Sequence, residues 1–259
     1  MPEGDTVWRA AAGLRTALAS RVLTRCDVRV PAHATVDLSG TTVDEVLSRG
    51  KHLLIRAGDV SIHSHLAMEG VWHVHPLGTR WRRPPHQARI VLETSDQQAV
   101  GFSLGVLEVL RREHDEQAVA HLGPDLLGPD WDLEEAVRRL VSAPSRPTFL
   151  ALLDQRNLAG FGNEYVHELL FLSGLDPWRA VGDVPALSAV VARGQRMLEA
   201  NKDRVERSFT GSTRRGEQRW VHQRDGSPCR RCGTCLRSGR LGDSPTTERN
   251  VVWCPRCQR

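Results

Sequence analysis

The sequence lacks two features that would direct a protein to a membrane. No apolar run approaches the length of a membrane span, and the first residues do not have the pattern of a signal peptide. We therefore expect a cytosolic protein without membrane contact. Lysine is also scarce, since only Lys51 and Lys202 are found among 35 Lys and Arg residues. In so arginine-rich a chain, a lysine can mark a position where an amine is required rather than a charge.

The composition is typical of a soluble globular protein, with 40% hydrophobic and 25% charged residues. A length of 259 residues is sufficient for two domains with their own cores. The charge is unevenly distributed. Residues 201–259 contain fourteen Lys and Arg against six Asp and Glu, so this part carries +8 and the remainder −4 of the net +4. The basic part predicts contacts with phosphates, although a solvated surface can be equally basic.

The chain begins Met1-Pro2-Glu3, and a small second residue normally allows the initiator methionine to be removed. Removal would leave Pro2 with a free secondary amine, a nucleophile that forms iminium adducts with aldehydes. Glu3 beside it can donate or accept a proton. Apolar residues at helical spacing across 7–18 predict a helix directly afterwards, whose positive end would keep more of the amine neutral. Many chains begin Met-Pro, so this start gains meaning only from residues elsewhere.

The fold class follows from a change of pattern along the chain. Between Arg21 and Leu110, short strands separated by Gly, Pro and Asp are typical of an antiparallel sandwich or barrel. A turn-rich linker at 123–130 is followed by helical patterns, so we predict an α+β protein. The predicted strands are Val22–Val30, Thr42–Leu47, His52–Ile55, Val60–His63, Gly70–Val74, Arg89–Glu93 and Ala99–Phe102. The predicted helices are Leu133–Val141, one that starts at Arg146-Pro147-Thr148, Asn163–Leu172, and one that includes Leu187 to Leu198.

Five of the six cysteines lie close together near the end of the chain. The pattern Cys229-x2-Cys232 followed by Cys254-x2-Cys257 offers four thiolates to a tetrahedral zinc ion, which so short a segment needs in order to fold. Cys235 leaves a second pairing open, because Cys232-x2-Cys235 would shorten the gap between the pairs to 18 residues. Both pairings predict zinc. A disulfide framework is disfavoured in a cytosolic protein.

A glycine-punctuated turn precedes the helix that is predicted to start at Asn163. Gly160-Phe161-Gly162 at a helix start would present backbone N–H groups and a positive dipole end to a phosphate, with Asn163 as the side-chain contributor. From the pattern alone, an ordinary helix–turn–helix corner is the better explanation. His167 and Glu168, farther along the helix, are predicted to lie on a solvated face.

Two further turns carry residues of chemical interest. Lys51 follows Arg49-Gly50 and precedes an apolar run, where spacing alone indicates a lysine at a strand edge. His63 and His65 have the spacing of a metal-binding pair, but no third ligand is evident, so a strand followed by a turn is the simpler interpretation. Met68 at the tip of that turn is either a core side chain or an apolar wedge able to enter a base stack.

Together, in this order and along essentially the whole chain, these motifs resemble the bacterial formamidopyrimidine-DNA glycosylase / endonuclease VIII (Fpg/Nei) family of DNA-repair enzymes. The motifs that carry the resemblance are Pro2-Glu3-Gly4, Arg49-Gly50-Lys51, His65-Leu66-Ala67-Met68-Glu69-Gly70, the stretch from Leu153-Asp154-Gln155 to Gly160-Phe161-Gly162-Asn163-Glu164-Tyr165, and the ending from Arg249 to Trp253-Cys254-Pro255-Arg256-Cys257-Gln258.

The resemblance implies a bifunctional DNA glycosylase and AP lyase of base excision repair. Its partner would be double-stranded DNA with oxidised bases or abasic sites, bound by a monomer in the bacterial cytosol or nucleoid. Pro2 would attack C1′ of a damaged nucleotide flipped out of the duplex, giving a Schiff base as the base departs. Glu3 would donate a proton and Lys51 would assist. β- and then δ-elimination would cut both sides of the sugar.

The resemblance also implies an arrangement of parts: a catalytic β-sandwich domain over 1–122, a linker and first helix over 123–143, a helix–two-turn–helix domain over 144–225, and a zinc-finger β-hairpin over 226–259. Met68 would be the intercalating wedge, and Asn163 would contact DNA. Arg249 falls where the family places an arginine tied to δ-elimination and phosphate contact.

The match of Cys232-Gly233 to the family's Cys-Gly selects among the cysteines. The implied ligands of one structural Zn²⁺ are Cys229, Cys232, Cys254 and Cys257, with Cys235 spare.

Two departures from the family pattern bear on the reaction and on the lesion. Asp5-Thr6 follows Gly4 where the family often has Pro-Glu, so a supporting carboxylate is missing or replaced by Asp5. The Fpg branch carries an Asp-x-Arg-x-Phe-Gly loop that fills the gap left by the flipped base. The corresponding stretch at 96–101 lacks both the arginine and the phenylalanine. This indicates the endonuclease VIII branch, with oxidised pyrimidines as substrates.

Two alternatives stand beside this prediction. The nearer one is an Fpg-like glycosylase for oxidised purines. The other is a zinc-dependent protein that recognises damaged DNA without cutting it. The presence of Pro2, Glu3 and Lys51 favours the enzyme.

Overall fold

The computed structural model describes residues 2–259, and the chain divides after His121 into two compact units. The predicted removal of Met1 lies outside the described residues. In the described part, no helix is long and apolar enough to cross a membrane.

The first unit consists of one helix and two four-stranded antiparallel sheets. The elements are α1 (Gly4–Leu18), β1 (Arg25–Val28), β2 (Val43–Arg49), β3 (His52–Ala57), β4 (Val60–His65), β5 (Val71–Pro76), β6 (Ala88–Glu93), β7 (Gln97–Phe102) and β8 (Val106–Arg111). Helix α1 buries Val7, Leu14 and Leu18 completely, as its helical spacing predicted. One sheet has the strand order β1-β6-β7-β5 and the other β2-β3-β4-β8.

The main core of this unit contains the apolar side of α1 and inward-facing residues of both sheets, such as Ile55 and Leu92. Strand β8 was not predicted. Its sequence, Val-Leu-Glu-Val-Leu-Arg, does not alternate between apolar and polar residues, so it lacks the pattern that reveals a half-buried strand. Strand β1 is shorter than predicted, because Val22 forms only an isolated bridge with Thr42.

The second unit is helical and ends in a two-stranded antiparallel hairpin. Its helices coincide closely with the predicted ones, and a core around Phe149, Phe161 and Tyr165 joins them. The predicted α+β fold class is therefore confirmed, whereas the finer division of this unit into linker, helical domain and finger stays a prediction. The elements are α2 (Leu133–Val141), α3 (Thr148–Leu153), α4 (Asn163–Ser173), α5 (Leu187–Asn201), β9 (Arg237–Leu241) and β10 (Arg249–Trp253).

Candidate functional site

Pro2 and Glu3 lie immediately before the first turn of α1. Glu3 is fully buried and is the residue that precedes the helix, and its carbonyl accepts hydrogen bonds from the N–H groups of Thr6 (3.0 Å) and Val7 (3.1 Å). Pro2 is half-buried. Asp5 is fully buried too, and its carboxylate accepts the Thr6 N–H at 2.7 Å. These bonds fix the direction in which the chain enters the helix, and with it the position of Pro2.

Lys51 lies at the tip of the hairpin between β2 and β3. Arg49 pairs with His52 across the turn, and Gly50 adopts a left-handed backbone with φ +57°, which a residue without a Cβ adopts readily. Lys51 is half-buried. Its ammonium is close enough to His65 to lower the pKa of that imidazole, although burial is the larger cause. The turn thus presents an amine next to a group of histidines.

A chain of hydrogen bonds lies behind Lys51 and was not predicted. His63 Nδ1 contacts a carboxylate oxygen of Glu108 at 2.9 Å, and His52 Nδ1 contacts His63 Nε2 at 2.8 Å. Because a carboxylate only accepts, His63 donates through Nδ1 and accepts from His52 when it is neutral. Burial, followed by the neighbouring His65, lowers the pKa of His52 to about 3. His63 is therefore part of a chain of hydrogen bonds from Glu108 to His52, next to Lys51.

Met68 stands at the tip of a tight turn between β4 and β5, with its side chain 69% exposed. The turn is closed by the Gly70 N–H, which donates to the Leu66 carbonyl at 2.8 Å. His65 Nδ1 accepts the Ala67 N–H at 3.0 Å and anchors the other side. Any side chain at Gly70 would collide with the Leu66 carbonyl, so the turn requires glycine there. The large apolar tip is therefore held rigidly in solvent.

The start of α1 and the Met68 turn share one groove. Its volume is about 250 Å³, and it is lined by Thr6 and Arg9 of α1, by Leu66 and Gly70 of the turn, and by Trp72 of β5 among others. The helix whose first turn follows Pro2 is therefore a direct neighbour of the turn that carries the exposed methionine.

The stretch at 96–101, which corresponds to the Fpg gap-filling loop, belongs largely to strand β7. Gln98, at the arginine position of that loop pattern, is buried, and its side chain bonds to Glu93 at 2.5 Å and to the indole N–H of Trp81. Val100, at the phenylalanine position, is fully buried. Neither side chain is available to fill a gap in DNA.

Asn163 is the first residue of α4, after a turn held by Gln155. The Gln155 amide donates to the Phe161 carbonyl at 2.9 Å, and its oxygen accepts the Gly160 N–H at 3.1 Å. Gly160 has φ +116°, a conformation that residues with a side chain rarely adopt. In the described part of the chain, the buried Asn163 Oδ1 finds no hydrogen-bond partner. The corner thus offers an amide next to the start of a helix.

The prediction that His167 and Glu168 lie on a solvated face is wrong. His167 is 2% exposed and Glu168 is fully buried. His167 Nδ1 donates to the Asn163 carbonyl at 2.6 Å, and its Nε2 accepts the Val252 N–H of β10 at 3.0 Å. Burial lowers the pKa of His167 to about 4, which keeps this bridging tautomer neutral. The missed signal was the apolar sequence on every side of the helix, which predicts burial all round.

The Glu168 carboxylate accepts three consecutive backbone N–H groups, from Trp220 (2.7 Å), Val221 (3.0 Å) and His222 (2.8 Å). Burial raises the pKa of Glu168 to about 7, against the opposing effect of the three donors. Glu164, one turn earlier, binds two arginines. Helix α4 therefore holds the chain before the cysteines through buried carboxylates.

Four of the cysteines form one cluster. The sulfurs of Cys229, Cys232, Cys254 and Cys257 all lie within 4.8 Å of one another. Four thiolates around a tetrahedral ion at about 2.3 Å from each sulfur stand about 3.8 Å apart, so this set can hold one ion. Cys235 is exposed, and its sulfur contacts the Gly226 and Leu236 carbonyls instead.

Arg249 opens strand β10, opposite Leu241 of β9, and is exposed. The turn of this hairpin carries other charges that are paired, since Arg240 binds Glu248 at 2.7 Å and Asp243 binds Arg146 at 2.8 Å. The side chain of Arg249, in contrast, contacts no acidic group among residues 2–259. Arg249 lies three residues before Val252, whose N–H donates a hydrogen bond to His167.

Comparisons with known proteins agree with this geometry. The formamidopyrimidine-DNA glycosylase N-terminal domain matches residues 1–103. The chain is 55% identical to the DNA-(apurinic or apyrimidinic site) lyase Nei2 of Mycolicibacterium smegmatis over 258 residues, which cover 100% of this chain and 99% of that protein. It is 53% identical to endonuclease 8 2 of Mycobacterium tuberculosis over 263 residues, with both chains fully covered.

A solved structure of Lactococcus lactis formamidopyrimidine DNA glycosylase bound to DNA that contains an AP site has the same fold. The TM-score is 0.81 with 21% sequence identity, and both chains are covered completely. The sequence identities over the full length decide the assignment: the chain belongs to the formamidopyrimidine-DNA glycosylase / endonuclease VIII family of DNA glycosylases and AP lyases, the enzymes of base excision repair.

Proposed function

We propose that this enzyme removes oxidised pyrimidines from double-stranded DNA and cuts the strand at the resulting abasic site. The observation that carries the proposal is the groove shared by the start of α1 and the Met68 turn. A nucleophile at the chain terminus and a wedge for the base stack are required together, because a base must leave the duplex before its C1′ can be attacked.

Pro2 is the proposed nucleophile. Its secondary amine forms a bond to C1′ while the bond between C1′ and the base breaks, and the departing base takes up a proton for which Glu3 is the donor. The amine then loses its proton, the C1′–O4′ bond breaks and O4′ takes up a proton, which opens the sugar ring and leaves an iminium ion that withdraws electrons from C2′. Loss of a C2′ proton then expels the 3′ phosphate, and loss of a C4′ proton expels the 5′ phosphate. Lys51 and Arg249 assist these eliminations.

The preference for pyrimidines rests on β7. Gln98 and Val100 are buried in the strand, which leaves the Fpg-type gap-filling side chains without a counterpart. Met68, at its exposed turn, is the wedge that remains. An Fpg-like preference for oxidised purines is the alternative.

The second unit supplies the proposed grip on phosphates. One structural Zn²⁺ held by the four clustered thiols would fix the hairpin that carries Arg249, and Asn163 would contact the DNA backbone from the start of α4. One copy of the chain carries all of these residues, so we expect a monomer.

Borohydride trapping tests the proposal. The purified enzyme is incubated with a duplex that contains an abasic site, and the reductant converts the iminium ion into a stable covalent complex. We expect the wild-type protein to be trapped and Pro2→Gly to be trapped far less. Undiminished trapping in Pro2→Gly, or none in the wild type, would overturn the role of Pro2.

The two lysines provide a matched control. Lys51→Ala should slow strand cleavage, whereas Lys202→Ala, which removes a lysine paired with Glu199 at the end of α5, should not. Duplexes with single lesions then decide the substrate class. Faster release of 5-hydroxyuracil than of 8-oxoguanine supports the pyrimidine assignment, and the reverse order supports the alternative.

A further inference from the structure

The connection between β5 and β6 contains a concentrated positive charge that the proposed function does not use. Residues 79–85, here called the arginine loop, read Thr-Arg-Trp-Arg-Arg-Pro-Pro and contain no acidic residue. They line an open depression of about 530 Å³. The arginines of this loop are able to bind phosphates, and its two prolines restrict the backbone.

Trp81 fixes the arginine loop to the sheet. Its indole N–H donates to Gln98 of β7, and its ring stands edge-on to Phe102 at 5.5 Å between centroids. The guanidinium of Arg29 lies 5.4 Å from the centre of the Trp81 ring and donates to the Pro85 carbonyl at 3.3 Å. Packing and hydrogen bonds thus hold the backbone of the arginine loop in place, and this fixes the positions from which its other side chains extend.

Arg83 connects the arginine loop to the Met68 turn. Its guanidinium donates to the carbonyl oxygen of Glu69 at 3.3 Å, one residue beyond the exposed methionine. A duplex with the Met68 side chain inserted in its base stack would therefore have its nearest phosphates close to this loop.

Arg80 and Arg82 carry charge that no acidic group among the described residues offsets. Both are exposed, and neither forms an ion pair within residues 2–259. Arg25 and Arg29 on the neighbouring β1 side differ, because both bind Asp27 at 2.9 Å. The positive charge of the loop also affects a histidine in the neighbouring strand β5. Burial, then His75, Arg83 and Arg82, lower the pKa of His73.

We propose that the arginine loop is a phosphate-binding element for duplex DNA, in which Arg80 and Arg82 contact the backbone beside the inserted Met68. This rests on the proposed function. Guanidinium groups match phosphate oxygens in geometry and charge, and each neutralised phosphate releases a counterion. The loop would place these contacts on the side of the first unit that bears the wedge.

The salt dependence of binding tests this proposal. Affinity for a duplex with a reduced abasic site, which cannot form a Schiff base, is measured between 50 and 200 mM potassium chloride. Each B-DNA phosphate contact contributes a slope of about −0.9 in log K against log salt. The double variant R80A/R82A should therefore have a slope shallower than that of the wild type by about 1.8. Neither arginine side chain forms a hydrogen bond or an ion pair within residues 2–259, so thermal unfolding should be unchanged.

Two further proteins separate local contact from general charge. R80K/R82K keeps the charge and should retain most of the slope. R111A/R138A also loses two positive charges, but these are already paired with Glu113 and Glu135. Arg111 lies at the opposite end of its sheet from Lys51 and is therefore far from the proposed active site. The slope of R111A/R138A should therefore match that of the wild type. An unchanged slope in R80A/R82A, or an equal decrease of the slope in R80A/R82A and R111A/R138A, overturns the proposal for the arginine loop. If the wild type still binds the duplex, the proposed glycosylase function is not affected by that result. Absence of wild-type binding would overturn both.

Neutral methylphosphonate linkages locate the contact. They are introduced one at a time on either side of the abasic site, and each is tested with the wild type and R80A/R82A. At the linkages that the arginine loop contacts, the neutral linkage should lower the affinity of the wild type. It should not lower the affinity of R80A/R82A, because that variant has already lost these contacts. We expect these linkages within a few nucleotides of the lesion, and coupling confined to linkages more than one helical turn away would overturn the placement.

Discussion

The side chains proposed to act on DNA are supported differently in the two units. In the first unit, Met68 stands on a turn closed by hydrogen bonds between residues two and four positions apart. In the second unit, the corner at Asn163 is tied to β10 by a bond of His167 that spans 85 residues, and Glu168 reaches backbone groups 52 to 54 residues away. Met68 at the tip of the exposed turn can therefore be replaced without loss of stability, whereas the corner at Asn163 depends on buried polar contacts.

Removal of the proposed zinc ion should have the largest effect on this second kind of support. A structural zinc ion contributes on the order of 10 kcal/mol to folding in isolated fingers, so chelation should unfold the hairpin of β9 and β10 and abolish DNA binding. Trp253 contacts Trp178 with ring centres 4.6 Å apart, so tryptophan fluorescence reports the change.

The cysteines supply the control for that experiment. C254S should lose bound zinc, measured by mass spectrometry of the native protein, and C235S should keep it, because Cys235 lies outside the cluster. Zinc content that falls equally in both variants would contradict the assignment of ligands.

The next largest effect should come from Glu168. Glu168→Ala leaves three buried N–H groups without an acceptor, and we expect a loss of about 3–5 kcal/mol in the free energy of unfolding, measured in urea. Glu168→Gln retains one oxygen and should lose less. Glu134→Ala, at an exposed position of α2, serves as the control. A loss below about 1 kcal/mol in Glu168→Ala would show that the corner does not depend on this carboxylate.

His167 should give the corner a dependence on pH. Its pKa of about 4 in the folded state lies below the ordinary value of 6.5, so the unfolded chain takes up the proton first as the pH falls. Its contribution to stability is therefore complete above pH 6.5 and is lost between about 6.5 and 4. The raised pKa of Glu168 acts in the opposite direction, because that contribution is lost as the pH rises from 4.5 through about 7.

Comparison with a variant isolates the histidine. The difference in unfolding free energy between the wild type and His167→Gln should shrink by about 3 kcal/mol between pH 7 and pH 4. His222, which is nearby, is held neutral by burial in both proteins and has a pKa of about 3. His114→Gln, at an exposed position, should show no such trend. A difference that stays constant with pH would contradict the bridging role.

The same contrast explains what could be predicted from the sequence. The helices, most strands, and the residues in short motifs depend on local spacing, and the structure places Pro2, Lys51 and Met68 at a helix start or on turns. The burial of His167 and Glu168 and the relay from Glu108 to His52 were missed, because their partners are far away in the sequence and no local pattern specifies them. Strand β8 was missed for a different reason, since its sequence does not alternate between apolar and polar residues.

Met68 should show the smallest effect on stability and a clear effect on activity. Its side chain is 69% exposed, so Met68→Ala should change the free energy of unfolding by no more than about 0.5 kcal/mol. Without the proposed wedge, the enzyme would have to extrude the damaged nucleotide without filling the stack, and we expect kcat/KM for base release to fall about tenfold, or about 1.4 kcal/mol. Leu77→Ala, another exposed apolar residue, is the control and should change neither quantity. A destabilisation above 1 kcal/mol in Met68→Ala would mean that the turn is supported by its tip, and the distinction between the two units would then fail.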